Sequence, residues 1–144
     1  MTVSTYQPDF VTMAFAGVPI TGFAPGTFIA AARNNDSWNL TVGSGGDGTR
    51  AKSGDRSGRV TLTLLGSSAS NATLSALSQT DERTGSVVGP LLAKDLSGAD
   101  VITAGTAWIV KPPDLEKSNE ETNREWIFET DNLEIFAGGN VPTT

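Results

Sequence analysis

The chain has 144 residues, a length typical of one domain with its own hydrophobic core. Its net charge of −6 argues against a nucleic-acid-binding surface, which needs clustered positive charge to displace counterions. It has no Cys and no His, so we expect no disulfide, no His base or thiol nucleophile, and no zinc site built from Cys and His. No other metal site and no cofactor are expected. No signal segment and no apolar run approaching the roughly 20 residues of a membrane span are found, so we expect a soluble protein made in the cytoplasm.

Short apolar and alternating runs, separated by Gly, Pro and Asn, predict a chain built mainly of strands. The predicted strands cover residues 10–16, 27–33, 37–42, 58–65, 86–95, 100–111, 125–130 and 132–136. Residues 34–36 are expected to turn the second of these runs into a hairpin with the third. Gly89 and Pro90 interrupt the fifth run, and because proline cannot donate a ladder hydrogen bond, that strand is predicted to be bulged or at an edge.

Two of these runs have one apolar and one polar face. Trp38, Leu40 and Val42 alternate with polar residues along 37–42, and the run 58–65 alternates in the same way. We predict that both apolar faces are buried and that the two strands pair in an antiparallel sheet. A slip of one residue would expose every core side chain, so the register should be well specified.

One helix is predicted over about residues 69–82. Leu74 and Leu77 give its apolar face, the hydroxyl of Ser68 or Ser70 can cap its first turn, and Gly85 can end it. With seven or eight strands and one flanking helix, the chain predicts an antiparallel β-sandwich or barrel that forms a single domain over residues 1–144.

Residues 43–58 form a connection much longer than the usual hairpin loop of about 2–5 residues. Its charged side chains, with one more just beyond it, sum to +2: Asp47, Arg50, Lys52, Asp55, Arg56 and Arg59. Two interpretations remain open, a flexible solvated loop or an arm that docks on an acidic surface of an identical neighbour. Gly43, Gly45 and Gly48 match the dinucleotide-binding pattern G-x-G-x-x-G, but the helix that such a site needs does not follow.

Carboxylates are the only numerous acid–base candidates. Three of them are more simply the solvated face of strands: Glu125, Glu129 and Glu134. The three tryptophans lie in apolar strand contexts that favour core packing over a sugar-stacking platform: Trp38, Trp108 and Trp126. A carbohydrate-binding or hydrolytic β-sandwich is therefore kept as the alternative from another class.

Several runs of the chain carry a family resemblance. They are GFAPGTFIAAAR (22–33), DSW (36–38), GSGGDGTRAKS (43–53), GRVTLTL (58–64), SASN (68–71), LSAL (74–77), GPLL (89–92) and KDLSG (94–98). Over about residues 20–98 the chain resembles the tail tube proteins of contractile-tailed bacteriophages, a family that is itself similar to the tube protein of type VI secretion. The last third fits this family only in strand content and length.

The resemblance implies a structural, non-enzymatic subunit, six to a ring, whose rings stack into a hollow tube inside a contractile sheath. Residues 43–58 lie where such proteins extend an arm to the next ring, so the six charged residues above are the expected inter-subunit contacts. A type VI secretion-like tube subunit and a baseplate tube-initiator are the alternatives within this structural class.

The resemblance also implies the partners of the chain. They are other copies of itself, the sheath protein outside, baseplate and tail-terminator proteins at the ends, and the tape measure protein and DNA in the lumen without specific binding. No membrane partner is expected. The implied location is the tail of the virion, after assembly in the cytoplasm of the host bacterium.

Overall fold

The structure is a computed structural model that describes residues 3–4, 11–96, 98–138 and 142–143. Within these residues the chain forms twelve strands and one helix. Their bounds are β1 Val3–Ser4, β2 Val11–Phe15, β3 Val18–Ile20, β4 Ile29–Arg33, β5 Trp38–Val42, β6 Gly48–Lys52, β7 Gly58–Leu65, α1 Ser70–Thr84, β8 Gly89–Asp95, β9 Val101–Lys111, β10 Asn123–Thr130, β11 Leu133–Phe136 and β12 Pro142–Thr143.

Eight of the strands form one antiparallel sheet in the order β3-β2-β8-β9-β10-β7-β4, and β11 pairs with the first part of β9. In β7 and β8 every second side chain is buried, as expected for strands with one face on a core. The rings of Phe15 on β2 and Phe128 on β10 lie 5.0 Å apart between centroids, although two strands separate β2 from β10 in the sheet. The sheet therefore curls around its core. The prediction of a mainly antiparallel β fold with one helix is confirmed.

The three tryptophans do not share one environment. Trp126 is fully buried, and its Nε1 donates a hydrogen bond to Oδ1 of Asn71 on the helix at 3.0 Å. Trp108 on β9 is half-buried. Trp38 is 45% exposed, so the prediction that it packs in the core is wrong.

The predicted pairing of residues 37–42 with 58–65 is also wrong. β7 has β4 on one side and β10 on the other, with Ile29 opposite Leu62 and Trp126 opposite the same leucine. Both edges of β7 are therefore occupied, and β5 pairs instead with β6 outside the sheet. An amphipathic strand buries its apolar face against whatever is available, and the alternation alone cannot say whether that is the core or a partner.

Helix α1 begins and ends close to the predicted positions. Gly85 follows it with a φ of +67°, and its amide donates to the Asp81 carbonyl at 2.7 Å, which confirms the predicted glycine terminus. The predicted serine cap is wrong, because Ala69 occupies the capping position and no side chain makes the capping hydrogen bond. The two serines instead bind the backbone of Thr21: Ser70 Oγ accepts from its amide at 2.9 Å, and Ser68 Oγ donates to its carbonyl at 2.6 Å. These bonds tie the start of the helix to the segment after β3.

The strand interrupted by Gly89 and Pro90 is bulged but is not an edge. Its pairing with β9 shifts register between Gly89 and Leu91, as predicted. It nevertheless lies between β2 and β9, and the carbonyl of Pro90 accepts a hydrogen bond from the Ala16 amide at 2.8 Å. The bulge accommodates the missing proline N–H inside a sheet. Of the first predicted strand, Phe10 lies outside the described residues.

Candidate assembly interface

The hairpin formed by β5 and β6, residues 38–52, stands apart from the eight-stranded sheet and is called the arm below. Its strands pair over five positions, and at its tip the Gly43 amide donates to the Asp47 carbonyl at 2.8 Å. Gly46 in this turn has a φ of +90°, a conformation that glycine adopts without strain. Every residue of both strands is exposed. Because an isolated two-stranded hairpin is marginal in water, the arm is a candidate for contact with a partner.

The two faces of the arm differ in chemistry. Trp38, Leu40 and Val42 project from one face with exposed fractions of 45%, 71% and 58%. Residues directly opposite each other in a ladder share a face, so Lys52 opposite Trp38 and Arg50 opposite Leu40 lie beside this apolar column. Polar and small residues form the other face: Asn39, Thr41, Thr49 and Ala51. We call the first of these the apolar–cationic face; contiguous exposed apolar surface of this kind marks interaction sites.

A cation–π contact orders the apolar–cationic face. The guanidinium carbon of Arg50 lies 3.9 Å from the centroid of the Trp38 ring. At an exposed site such a contact contributes about 0.5–1 kcal/mol. The contact therefore favours one relative orientation of the two side chains without burying either of them.

The root of the arm, residues 34–37 and 53–57, is held by hydrogen bonds within the subunit. The Asp55 carboxylate accepts from the Ser57 amide at 2.9 Å and from the side-chain amide of Asn35. Hydrogen bonds from the side chain and then the backbone of Ser57, with a smaller one from Asn35, hold the pKa of Asp55 below its usual value. The Asn34 amide donates to the Ser57 carbonyl at 3.0 Å. Where the root meets the arm, the Ser53 amide donates to the Ser37 carbonyl at 2.8 Å.

The root also contains one extra residue on its second strand. Arg33 pairs with Gly58 and Trp38 pairs with Lys52, so the chain advances five positions on one side and six on the other. An unmatched residue of this kind bends a strand pair and increases its twist. The arm therefore leaves the sheet in a new direction instead of continuing β4 and β7.

Strand β11 braces the root from the side. The Leu133 amide donates to the Arg56 carbonyl at 2.8 Å, and the Leu133 carbonyl accepts from Nε of Arg33 at 2.9 Å. Arg56 also lies 3.5 Å from the Glu134 carboxylate in an exposed ion pair. The arm thus has a fixed base within its own subunit.

The structure separates the six predicted contact residues into three groups. Asp47 lies in the tip turn and Arg50 and Lys52 lie on β6, all within the arm. Asp55 and Arg56 belong to the root, where their charges are engaged within the subunit. Arg59 lies on β7 and pairs with Glu129 of β10. The predicted arm of residues 43–58 is therefore misplaced, because the hairpin begins five residues earlier and ends before the root.

Sequence reasoning missed the apolar half of this surface. The alternation of Trp38, Leu40 and Val42 predicts a face buried in the core, whereas all three side chains are exposed in the subunit. The long polar connection after these residues is the feature of the sequence that indicates their exposure. Two strands paired within the sheet would need only a short loop between them. The glycines of the G-x-G-x-x-G pattern lie in the tip turn and at the start of β6, and a strand follows them where a dinucleotide site would need a helix.

Over residues 11–96 and 98–138, no group of three or more carboxylates is arranged to hold a metal ion. In the described part of the chain, no helix has the length and apolar character to cross a membrane.

Known proteins similar to this chain identify its family. The family model described as Bacteriophage PhiTE tail tube protein matches residues 20–138. The chain belongs to this phage tail tube family. The resemblance inferred from the sequence is thereby confirmed, and as a phage tail structural protein this tail tube chain is a component of the virion.

Individual relatives agree with this assignment. The tail tube chain is 30% identical over 145 residues to structural protein ORF10 of Pseudomonas phage KPP10, covering 95% of this chain and 84% of that protein. Its fold is similar to the tube-terminating cap of the anti-feeding prophage, with a TM-score of 0.61, 10% identity and 94% and 93% of the two chains covered. A chain of the extended PVC sheath–tube complex, an extracellular contractile injection system, gives a TM-score of 0.58 at 11% identity, with 92% of each chain covered.

Proposed function

We propose that the chain polymerises as stacked hexameric rings into the inner tube of a contractile phage tail, the conduit for genome delivery. The observation that carries this proposal, within the tail tube family, is the apolar–cationic face of the arm. Three large apolar side chains and two cations lie on a hairpin whose every strand residue is exposed in the single subunit. A contact with another copy would remove this apolar surface from water and complete the sheet edges of the hairpin.

The geometry of the arm suits a contact between copies that are not related by a two-fold axis. The arm projects from one end of the sheet, and its root is braced by Leu133 and Glu134 of its own subunit. An arm fixed at its base and docking on a different surface of the next copy makes a heterologous contact, which generates rings or open filaments. We propose that Asp47, Arg50 and Lys52 act in this contact, whereas Asp55, Arg56 and Arg59 position the arm.

The partners proposed for the tube follow from the same assembly. The similar solved structures are described as a tube-terminating cap and a sheath–tube complex. We propose that this chain likewise contacts a sheath protein outside and baseplate and terminator proteins at the ends. The tape measure protein and DNA would pass through the lumen without specific binding. A hexameric ring would carry about −36 formal charges, six times the chain's −6, and would repel DNA phosphates at close range.

Negative-stain electron microscopy of the purified protein tests the proposal. The expected result is rings or long tubes with a central hole, formed from a protein assembled without other virion components. A protein that stays monomeric at high concentration would refute self-assembly. Short stacks that never elongate would instead favour the second candidate function, a tube-initiator or cap. The similarity of the fold to the tube-terminating cap supports this candidate.

Removal of the arm separates folding from assembly. A variant in which residues 39–51 are replaced by a two-residue turn keeps the root and should retain the circular dichroism of the parent while losing polymerisation. The matched point variant is Arg50→Glu with Lys52→Glu, and its control is Arg83→Glu on the exposed face of α1. Normal tubes from either arm variant would show that the arm has no docking role.

A further inference from the structure

The arm and an acidic segment lie at opposite ends of the same strands. β7 begins at Gly58, next to the root of the arm, and ends at Leu65. β10 runs antiparallel to it, with Thr130 opposite Gly58 and Asn123 opposite Leu65. The segment 112–122, which leads into Asn123, therefore lies at the far end, roughly 23 Å from the root of the arm along an eight-residue strand.

The segment 112–122 is the chemical complement of the apolar–cationic face. Its charged residues sum to −3: Asp114, Glu116, Lys117, Glu120 and Glu121. All five side chains are exposed, and Leu115 between them is 69% exposed. The arm thus has apolar side chains beside two cations, and the other end of the subunit has an exposed leucine among carboxylates.

A cleft of about 260 Å³ opens where this segment meets the outer face of β9 and β10. Pro113 and Ile127 give it an apolar lining. Three carboxylate side chains and one cation also line it: Asp114, Glu116, Glu125 and Lys111. A concave, mainly polar surface with three carboxylates and two apolar side chains suits a guanidinium stacked on an aromatic ring, which is what Arg50 and Trp38 present.

We infer that the apolar–cationic face of the arm docks on the opposite end of a second copy, with Trp38 and Arg50 entering the cleft beside Asp114 and Glu116. This inference rests on the proposed self-assembly and names the surface that receives the arm. The occupant is a second copy, because every strand residue of the arm is exposed in its own subunit and the root of the arm and the cleft segment lie at opposite ends of β7. The charges of the two surfaces are opposite, and the contact joins unlike ends, so it repeats from copy to copy.

A charge exchange tests the pairing. The arm variant carries Arg50→Glu and Lys52→Glu, and the cleft variant carries Asp114→Lys and Glu116→Lys. Each variant should raise the critical concentration for polymerisation roughly tenfold or more, because each places like charges face to face. The chain that carries all four substitutions should polymerise near the parent concentration. A control that reverses two exposed charges on α1 and leaves the net charge unchanged, Glu82→Lys with Arg83→Glu, should change the critical concentration little.

The outcomes distinguish this inference from the proposed function. Tubes from the arm variant would refute the docking role of the arm and with it the inferred contact, but tube formation itself, the proposed function, would stand. Loss of tubes in the arm variant but not in the cleft variant would leave the proposed function intact and overturn the inferred receptor. The inferred receptor would also be overturned if the chain with all four substitutions failed to polymerise while both double variants were defective in assembly and folded by circular dichroism.

Cross-linking gives a measurement that does not depend on charge reversal. The chain has no cysteine, so Thr41→Cys on the polar face of the arm and Asn119→Cys in the acidic segment are its only thiols when both are introduced. A short bismaleimide should give a ladder of dimers, trimers and longer products from the double variant in assembled tubes. Replacing the second site by Gln79→Cys on α1 should give no ladder. A ladder from the control and none from the test variant would refute the inferred contact.

Discussion

The same substitution at two tryptophans should have opposite consequences, since one is buried in the subunit and the other is exposed on the arm. Trp126 is 0% exposed and donates to Asn71 at 3.0 Å, whereas Trp38 is 45% exposed and contacts Arg50. We expect Trp126→Ala to destabilise the subunit and Trp38→Ala to prevent assembly. Each variant is the control for the other, because the same side chain is removed.

The magnitudes follow from burial. Removing a fully buried tryptophan costs about 3–5 kcal/mol, and the Asn71 oxygen left without its donor adds about 1–3 kcal/mol when it is kept from water. The two costs sum to about 4–8 kcal/mol. For a chain of this length each kcal/mol lowers Tm by about 2–4 °C, so Trp126→Ala should lower Tm by roughly 8–32 °C. Trp38→Ala loses only an exposed cation–π contact of about 0.5–1 kcal/mol. At an interface, however, a central tryptophan contributes about 2 kcal/mol or more, a change of roughly thirtyfold in critical concentration.

The assay combines urea unfolding of the unassembled subunit with sedimentation of the polymer. Trp38→Ala should leave the free energy of unfolding within about 1 kcal/mol of the parent and abolish pelletable tubes at concentrations where the parent assembles. If Trp38→Ala lowered the free energy of unfolding of the unassembled subunit by several kcal/mol, Trp38 would have to pack within its own chain. Unchanged assembly would show that the exposed face is not a contact.

Three further outcomes follow from the root and the helix. Gly58→Ala should cost about 1–3 kcal/mol in urea unfolding, because a Cβ there would lie 2.8 Å from Cβ of Leu133 and 2.9 Å from a backbone oxygen; a neutral effect would mean that β7 and β11 separate easily. Hydrogen bonds lower the pKa of Asp55 in the folded subunit, so they stabilise the root fully at pH values above the pKa of Asp55 in the unfolded chain, near 3.8. This stabilisation is lost as the pH falls through the lower pKa of the folded state. The difference in free energy of unfolding between the parent and Asp55→Asn should therefore shrink in acid. Ser70→Ala should cost about 1–3 kcal/mol, because the Thr21 amide loses its acceptor at 2.9 Å; helix-specific hydrogen exchange should quicken at the same time.

Local chemistry was sufficient to predict most elements of the fold. The alternation of β7 and β8, the glycine at the end of α1 and the bulge at Pro90 are each fixed by residues within a few positions. Pairing partners were not predictable in the same way, because a strand with one apolar face is compatible with any complementary surface. β4 takes the place beside β7 that the sequence suggested for β5, and nothing in its short Ile-Ala-Ala-Ala-Arg run distinguishes it as the core strand.

The candidate site shows the same division. Two of the charged residues on the arm, Arg50 and Lys52, were predicted because a cationic stretch on an acidic chain is visible in composition. The apolar residues beside them were assigned to the core, since burial within a subunit and burial between subunits favour the same residue types. Asp55 and Arg56 were assigned to the contact because sequence spacing cannot show that Ser57 and Glu134 already engage them.

The placement of the two charged surfaces has a consequence for the whole tube. If both surfaces lay at one end of the subunit, two copies could satisfy each other around a two-fold axis and growth would stop at a pair. The two surfaces lie at opposite ends of β7. In the proposed polymer each addition therefore leaves one unused arm and one unused cleft, which would make the polymer polar. One end of such a tube exposes arms with Trp38 and Arg50, and the other exposes clefts with Asp114 and Glu116. On the inferred contact, a protein that terminates the first end would have to supply an acidic cleft, and a protein that begins the tube at the other end would have to supply a cationic arm.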